Sequence, residues 1–351
     1  MTGQPPAEQL DHDLRGLQDA VRELRTSVRL ARVRDEVEDL QTTVNGLDRC
    51  LGTLRAGGYA FEKELEGQAE DLESEWRKLS PGIQRQIEEE SSVLERSLTP
   101  LERELSRLDA SGDAPERLEP RVRKLQSRVE SLEGQVSAAE DTIQGMFDRF
   151  RGEVHGLNTH LEKLAWLLSE LNEARFQLLA TEAGIMATKA VWIRGDKDRP
   201  EGVLYLTDQR LLFEQKEKVT TKKVLFIPTE KELVQELLWE VPVALIAETA
   251  FRKEGLLKNK AILELRFEDD APLNTADLRI WQTGEEWTAL IKRARGRDFD
   301  ASRAIPIDEA VAQKVQDAPT KCPSCGGIIH QNILRGMESI TCEYCGSVIR
   351  L

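Results

Sequence analysis

The sequence predicts a multidomain chain: an all-α half, a β-rich module closed by one helix, and a small metal-binding segment at the C-terminus. Three observations predict this order. Apolar residues repeat at spacings of three and four over residues 1–180, the period changes to two past about residue 185, and four of the five cysteines form two CxxC pairs near the end. A chain of 351 residues is long enough for two to three domains.

Composition and charge support a long helical half. Charged residues make up 32% of the chain and aromatic residues 5%, which is typical of extended, well-solvated helices. The 63 acidic and 49 basic residues give a net charge of −14, and residues 1–180 hold 36 of the acids against 24 bases. A protein that neutralises phosphates along its whole length would be basic, so any contact with nucleic acid is expected to be local.

Residues 1–180 carry the seam pattern of a coiled coil. The first apolar series consists of Leu10, Leu14, Leu17, Val21, Leu24 and Val28. A second series begins at Leu30 on another helical face, so the helix either breaks at Thr26–Ser27 or changes its buried face there. Gly57–Gly58 and the segment 111–115 predict two further reversals. We therefore expect an antiparallel coiled coil or helical bundle.

Two arrangements of these helices stay open at the level of the sequence. The seams can pair with a second copy of the chain, which makes the protein a homo-oligomer. Alternatively, the helices form a monomeric bundle in which the apolar seams pack against one another within one chain. Self-association is the interpretation that we favour.

Residues 186–295 alternate apolar and polar residues, which indicates a sheet. The predicted strands are Ala190–Ile193, the two arms of Gly202–Phe213, Trp239–Ile246, Ala261–Phe267 and Leu278–Trp281. Trp287, Leu290 and Ile291 lie on one face of a helix that follows the last strand. The polar stretch Lys216–Leu238 is longer than a simple connection, and we expect a helical insertion there.

The segment GVLYLTDQRLLFEQ, followed by further strands and then by EEWTALIKRA, resembles the GRAM and bacterial PH-like domains. The resemblance implies a PH-like β-barrel with a closing helix, and a role in binding lipid headgroups or peptides rather than in catalysis. Protein docking, lipid binding and a purely structural role all remain open. The cations that could face an anionic membrane are Arg194, Lys197, Arg199, Lys216, Lys218, Lys222 and Lys223.

The last 31 residues, 321–351, follow a linker at 296–320 and carry the strongest motif. Their four cysteines, placed as two CxxC pairs, are Cys322, Cys325, Cys342 and Cys345. Two such pairs can hold one structural Zn²⁺ per chain with four thiolates and no open position. The alternative is redox use of the CxxC pairs. The knuckles CPSCG and CEYCG resemble those of zinc ribbons, and that resemblance implies binding of protein or nucleic acid.

Functional motifs point away from catalysis. The sequence contains no P-loop, dinucleotide-binding, nucleophile-elbow or HExxH motif, and we assign no catalytic residue and no organic cofactor. No secretory signal or spanning segment is evident, and paired reduced cysteines suit the cytoplasm. We interpret the chain as a cytoplasmic, non-enzymatic adaptor that oligomerises through its coiled coil and docks protein partners. The alternatives are a nucleic-acid- or polymerase-associated regulator and a peripheral membrane scaffold.

Overall fold

The computed structural model describes residues 6–109, 114–195, 198–224, 227–255 and 260–351. The chain divides into two compact units. The first contains Met1–Asp48 and Gly67–Asn158, and the second contains Arg49–Glu66 and Thr159–Leu351. The boundaries at 180, 186, 295 and 320 stay predictions. Within the described residues, no helix combines the length and the apolar character that crossing a bilayer requires.

Five helices make up the N-terminal part: α1 Pro6–Ser27, α2 Ala31–Ala56, α3 Leu65–Asp109, α4 Pro115–Gly145 and α5 Asp148–Glu173. The break expected after Thr26–Ser27 is present, because α1 ends at Ser27 and Leu30 has a left-handed backbone with φ of 54°. Leu30 is fully buried, and the burial of its side chain offsets the cost of this conformation.

The first unit buries the apolar series that the sequence predicts. In α4 the buried residues are Val122, Leu125, Val129, Leu132, Val136, Ala139 and Ile143, at spacings of three and four. The ring of Trp76 stacks on that of Phe150 at 5.3 Å, and its Nε1 donates to Oε1 of Gln41 at 2.6 Å. A helical region is therefore present, and the coiled coil itself stays a prediction.

The second unit contains one antiparallel sheet of seven strands. They are β1 Gly184–Trp192, β2 Glu201–Thr207, β3 Arg210–Val224, β4 Ile227–Pro242, β5 Ile246–Glu254, β6 Lys260–Phe267 and β7 Thr275–Ile280. Their order across the sheet is β4-β3-β2-β1-β7-β6-β5. Helix α6, Gly284–Arg295, follows β7 and packs on β5 and β6, with Trp287 fully buried. The helix expected after the strands is present.

The expected barrel-like domain is confirmed only in part: the antiparallel sheet is present, but it does not close into a barrel. Strands β4 and β5 lie at its two edges and do not pair with each other. A short 3₁₀ turn at Val243–Leu245 reverses the chain between them. The two halves of the sheet are joined where β1 pairs with β7 over only three residues, from Ala190 to Trp192.

The helical insertion expected at Lys216–Leu238 is wrong. This stretch forms the outer arms of β3 and β4, which pair from Arg210 with Pro242 out to Val224 with Ile227. The sequence there is rich in β-branched residues, which favour extended backbone. Pro228 is tolerated because β4 is an edge strand, where a missing N–H costs no ladder bond on the outer side.

Four aromatic rings fill the interior between the halves of the sheet. Trp239 lies 5.9 Å from Phe213, 6.0 Å from Trp192 and 6.1 Å from Phe267, measured between ring centroids. Trp239 is therefore buried and Trp192 half-buried within the packing of the sheet.

The loop between α2 and α3 is built into the second unit. Phe61 is fully buried against Phe299 at 5.5 Å, and the carbonyl of Ala60 accepts hydrogen bonds from the N–H groups of Ala304 and Ile305. Gly57 packs closely here, since a Cβ would lie 2.8 Å from Cδ1 of Leu168, and Gly58 beside it has a left-handed backbone with φ of 94°. The segment 57–65 therefore belongs structurally to the C-terminal half of the chain.

A buried ion pair holds the turn between β2 and β3. Nη2 of Arg210 donates to the fully buried Glu182 at 2.6 Å, and Nη1 donates to Glu240 at 2.5 Å. Burial disfavours the charge on Arg210, but the two carboxylates raise its pKa. Thr207 completes the turn by accepting from the N–H groups of Gln209 and Arg210.

Replacement of Arg210 by Met is expected to lower the free energy of unfolding by about 3–5 kcal/mol, because Glu182 then stays buried without its cation. Chemical denaturation followed by tryptophan fluorescence measures this loss. The control is Arg194→Met, which breaks the exposed pair with Asp198 and should cost less than about 1 kcal/mol. Equal losses of unfolding free energy in the two variants would show that the buried pair stabilises the protein no more than the exposed pair does.

Candidate functional site

The two CxxC pairs form matching knuckles. Gly326 donates its N–H to the carbonyl of Cys322 at 2.8 Å, and Gly346 donates to that of Cys342 at 2.9 Å. Both glycines have a left-handed backbone, with φ of 75° and 71°, which a residue with a Cβ rarely adopts. Each knuckle thereby places its two sulfurs on the same side of a tight turn.

The structure brings the four cysteines together. All four sulfurs lie within 4.8 Å of one another, and the Sγ atoms of Cys322 and Cys345, like those of Cys325 and Cys342, are 3.7 Å apart. A tetrahedral ion with about 2.3 Å bonds to sulfur separates its ligands by about 3.8 Å. A disulfide would require about 2.0 Å. The spacing therefore suits four ligands around one ion.

The electrostatics of the four thiols also suit a cation. A hydrogen bond with Ser347 lowers the pKa of Cys345 to about 6. The backbone at Gly327 favours the thiolate of Cys325, yet the neighbouring Cys345 and the burial of the sulfur raise the pKa of Cys325 to about 12. Thiolates this close repel one another, so a positive ion is needed to keep all four ionised.

The segment around the cysteines has little core of its own. The buried residues there are Cys322, Cys342, Ile340 and Ile349, with Ile329, Met337 and Leu351 packed against them. Two short strands, β8 Ser339–Thr341 and β9 Val348–Arg350, form its only sheet within the described residues. A core of this size cannot hold a fold alone, so bonds to a metal would supply most of its stability.

The metal-binding segment is docked on the rest of its unit. Leu334, which lies between the two knuckles, forms an antiparallel bridge with Leu179. The N–H of Ala180 donates to the carbonyl of Ile333 at 2.9 Å. The backbone N–H of Arg335 donates to the carbonyl of Leu178, also at 2.9 Å. The Arg335 guanidinium also donates to the carbonyl of Glu182. The segment is therefore tied to the residues that hold the β2–β3 turn.

Two further polar residues complete this contact region, and sequence reasoning missed both. Asp208 accepts from the N–H of Ala183 at 2.8 Å and from the guanidinium of Arg303 at 2.5 Å. Burial raises the pKa of the Asp208 carboxyl, although Arg303 opposes that rise. The run TDQR was visible in the sequence as part of the GRAM-like motif, but its partners Glu182 and Arg303 carry no local signal.

Of the described cations offered for a membrane surface, two form ion pairs with carboxylates of the chain. Arg194 pairs with Asp198 at 2.8 Å and lies 4.8 Å from the ring centroid of Trp192. Lys216 binds two carboxylates of α5, those of Glu170 and Glu173, at 2.7 Å each. Arg199 donates to the carbonyl of Gly195, and Lys218 is exposed. Lys197 and the side chains of Lys222 and Lys223 lie outside the described residues.

Comparisons with known proteins do not assign a family. No family model matches the chain, and no curated protein matches it. A C-terminal domain of an unknown protein from Leishmania infantum shares 17% identity, covering 32% of this chain and 84% of that one, at a TM-score of 0.22. The DH/PH domains of p115-RhoGEF share 13%, covering 84% and 95%, at 0.21, and autoinhibited Vav1 shares 12%, covering 99% and 68%, at 0.20. At TM-scores and sequence identities this low, neither the fold nor the activity of these proteins can be assigned to this chain.

Disruption of the cysteine cluster is expected to expose the docked segment to protease. In Cys342→Ser the bridge at Leu334 should open, so that trypsin cleaves after Arg335 roughly ten times faster than in the parent protein. Mass spectrometry of the fragments over time measures the rate. The control Cys50→Ser removes a half-buried thiol outside the cluster and should leave the rate unchanged. Equal protection in Cys342→Ser would mean that docking does not depend on the four cysteines.

Proposed function

We propose that the protein is a non-enzymatic adaptor that docks protein partners through the C-terminal half of the chain. The observation that carries this proposal is the distribution of exposed large apolar side chains. Among the described residues, nine such side chains are exposed: Val93, Met146, Leu233, Trp281, Ile307, Val315, Ile328, Tyr344 and Val348. Seven of the nine belong to the C-terminal half. The other two are Val93, in α3, and Met146, in the turn between α4 and α5.

The metal-binding segment presents three of these side chains on a rigid support. Tyr344 is 67% exposed, and its ring lies directly over Gly327, where a Cβ would come within 2.6 Å of it. Val348 and Ile328 are also exposed. An aromatic side chain held beside a stiff backbone is a common hot spot for protein binding, because little entropy is lost on docking.

The other interpretations have less support. The interpretation as a membrane scaffold is weakened because two of the cations it requires, Arg194 and Lys216, form ion pairs within the chain. Self-association through the helices remains part of the proposal, although the seam residues of α4 are already buried within one chain. A contact of the metal-binding segment with nucleic acid lacks a basic cluster to support it.

We assign a structural Zn²⁺ to the four cysteines, since four thiolates in a closed tetrahedral shell are its typical ligands. The purified protein should hold one zinc per chain by elemental analysis. Cys342→Ser should lose the zinc while the far-UV circular dichroism of the helices is retained. The control Cys50→Ser should keep both. Protein purified without metal and with both CxxC pairs oxidised would support the redox interpretation instead.

The adaptor role is tested with the full chain rather than with halves, because a cut near residue 180 would separate the segment 57–65 from its contacts. The parent protein and the double variant Tyr344→Ala/Val348→Ser are used as baits in native lysate. We expect the variant to lose the principal partners roughly tenfold, measured by quantitative mass spectrometry.

The matched control for this experiment is Val93→Ser/Met146→Ser, which removes two exposed apolar side chains from the helical N-terminal part of the chain. This control should retain the partners. The opposite pattern, with loss only in the control, would place the docking surface on the acidic helices.

A further inference from the structure

A second surface, at a cavity in the sheet unit, has the features of a binding site. A cavity of ≈ 400 Å³ lies where β5 and β7 end and where β6 and α6 begin. Lys253, Lys260 and Arg279 line it from three strands, and Ala261 and Ile280 form an apolar floor. A volume of this size lies within the range of ligand pockets, of about 300–1,000 Å³.

Trp281 stands at this cavity and is unlike the other tryptophans of the chain. It is 58% exposed, whereas each of the other five is buried or half-buried. The guanidinium of Arg279 lies 4.6 Å from the centroid of its indole ring, and Nε of Arg279 is buried without a hydrogen-bond partner among the described residues. An unsatisfied buried donor costs free energy that an incoming acceptor would recover.

The charges at the cavity favour a negatively charged ligand. Three cations line it against one carboxylate, that of Glu285, which lies 3.1 Å from Nζ of Lys253. The first turn of α6 also faces the cavity through Thr283 and Gly284, and the partial charge at a helix N-terminus is positive. This local excess of positive charge contrasts with the chain as a whole, whose net charge is −14.

We propose that this cavity binds an acidic peptide segment of a partner protein, with one aromatic side chain of the peptide packed on Trp281 and the apolar floor. The carboxylates that flank this side chain would pair with Lys253, Lys260 and Arg279. Tryptophan and arginine side by side are the residue types most enriched in binding hot spots. Single charges spread along a peptide can avoid Glu285, whereas a polyphosphate would place concentrated charge beside it.

This inference rests on the proposed docking function and names the chemistry of one partner segment. The test uses the purified full chain and a fluorescently labelled short peptide with one phenylalanine between flanking glutamates. Fluorescence anisotropy should show saturable binding that weakens as salt is raised, since the pairing is partly electrostatic. Trp281→Ala and Arg279→Gln should each raise Kd roughly tenfold.

The matched control is Arg194→Gln. It removes the same charge, and it removes a guanidinium from above another indole, that of Trp192, which does not line the cavity. Its Kd should stay within about twofold of the parent value. Thermal unfolding of all three variants verifies that each is folded.

Three outcomes would overturn the proposal: no binding of the glutamate peptide, equal binding of a peptide with lysines in place of the glutamates, or Kd values unaffected by Trp281→Ala and Arg279→Gln. Adenosine monophosphate that binds in competition with the peptide would instead assign a nucleotide site. If the peptide fails while Tyr344→Ala/Val348→Ser still loses partners from lysate, only this inference fails and the adaptor role stands.

Discussion

The buried pair of Glu182 and Arg210 is the interaction on which most of the second unit depends. Both side chains are almost wholly removed from water, at 0% and 7% exposure, so each charge requires the other. The pair joins β3 to the chain segment that precedes β1. The same carboxylate accepts from Thr207 and from the N–H of Leu179, and the carbonyl of Glu182 accepts from Arg335. One buried charge thereby connects the sheet with the metal-binding segment.

This connection changes how the C-terminal cysteines contribute to the molecule. A segment with a core of a few residues would ordinarily be an independent appendage at the end of a linker. Here the stretch between its knuckles extends the backbone pairing of residues 178–180, and Asp208 with Arg303 ties the preceding linker to the same turn. Metal binding would therefore stabilise a contact region that reaches into the sheet unit, rather than the last 30 residues alone.

The sheet unit uses its aromatic residues for two different purposes. The cluster around Trp239 fills the gap between the halves of an open sheet. Because its rings pack against one another, they do not serve as binding anchors for a partner. Trp281, only two residues beyond the buried Arg279 Nε, is left in contact with water beside a cavity. Within β7 the buried side chains are those of Ala276, Leu278 and Ile280, and the alternate positions Asp277 and Arg279 are only partly buried. Trp281 follows the strand on the same face as Arg279, which is why it meets water.

The amino-acid sequence alone determined the elements with strong local signals: the helices from their apolar period, the closing helix from Trp287 and its neighbours, and the cysteine cluster from the spacing of two knuckles. These depend on residues close together in the chain. The long β3–β4 hairpin was missed, because its outer arms lie in the polar stretch Lys216–Leu238, which lacks a regular alternation of apolar and polar residues. The strand order was not predicted either, since the pairing of β1 with β7 joins residues far apart in sequence. Likewise, only the tertiary structure decided that Glu182 meets Arg210, that residues 57–65 pack with Phe299, and that Trp281 stays exposed. Burial of a side chain depends on every element packed around it, and no local pattern encodes that arrangement.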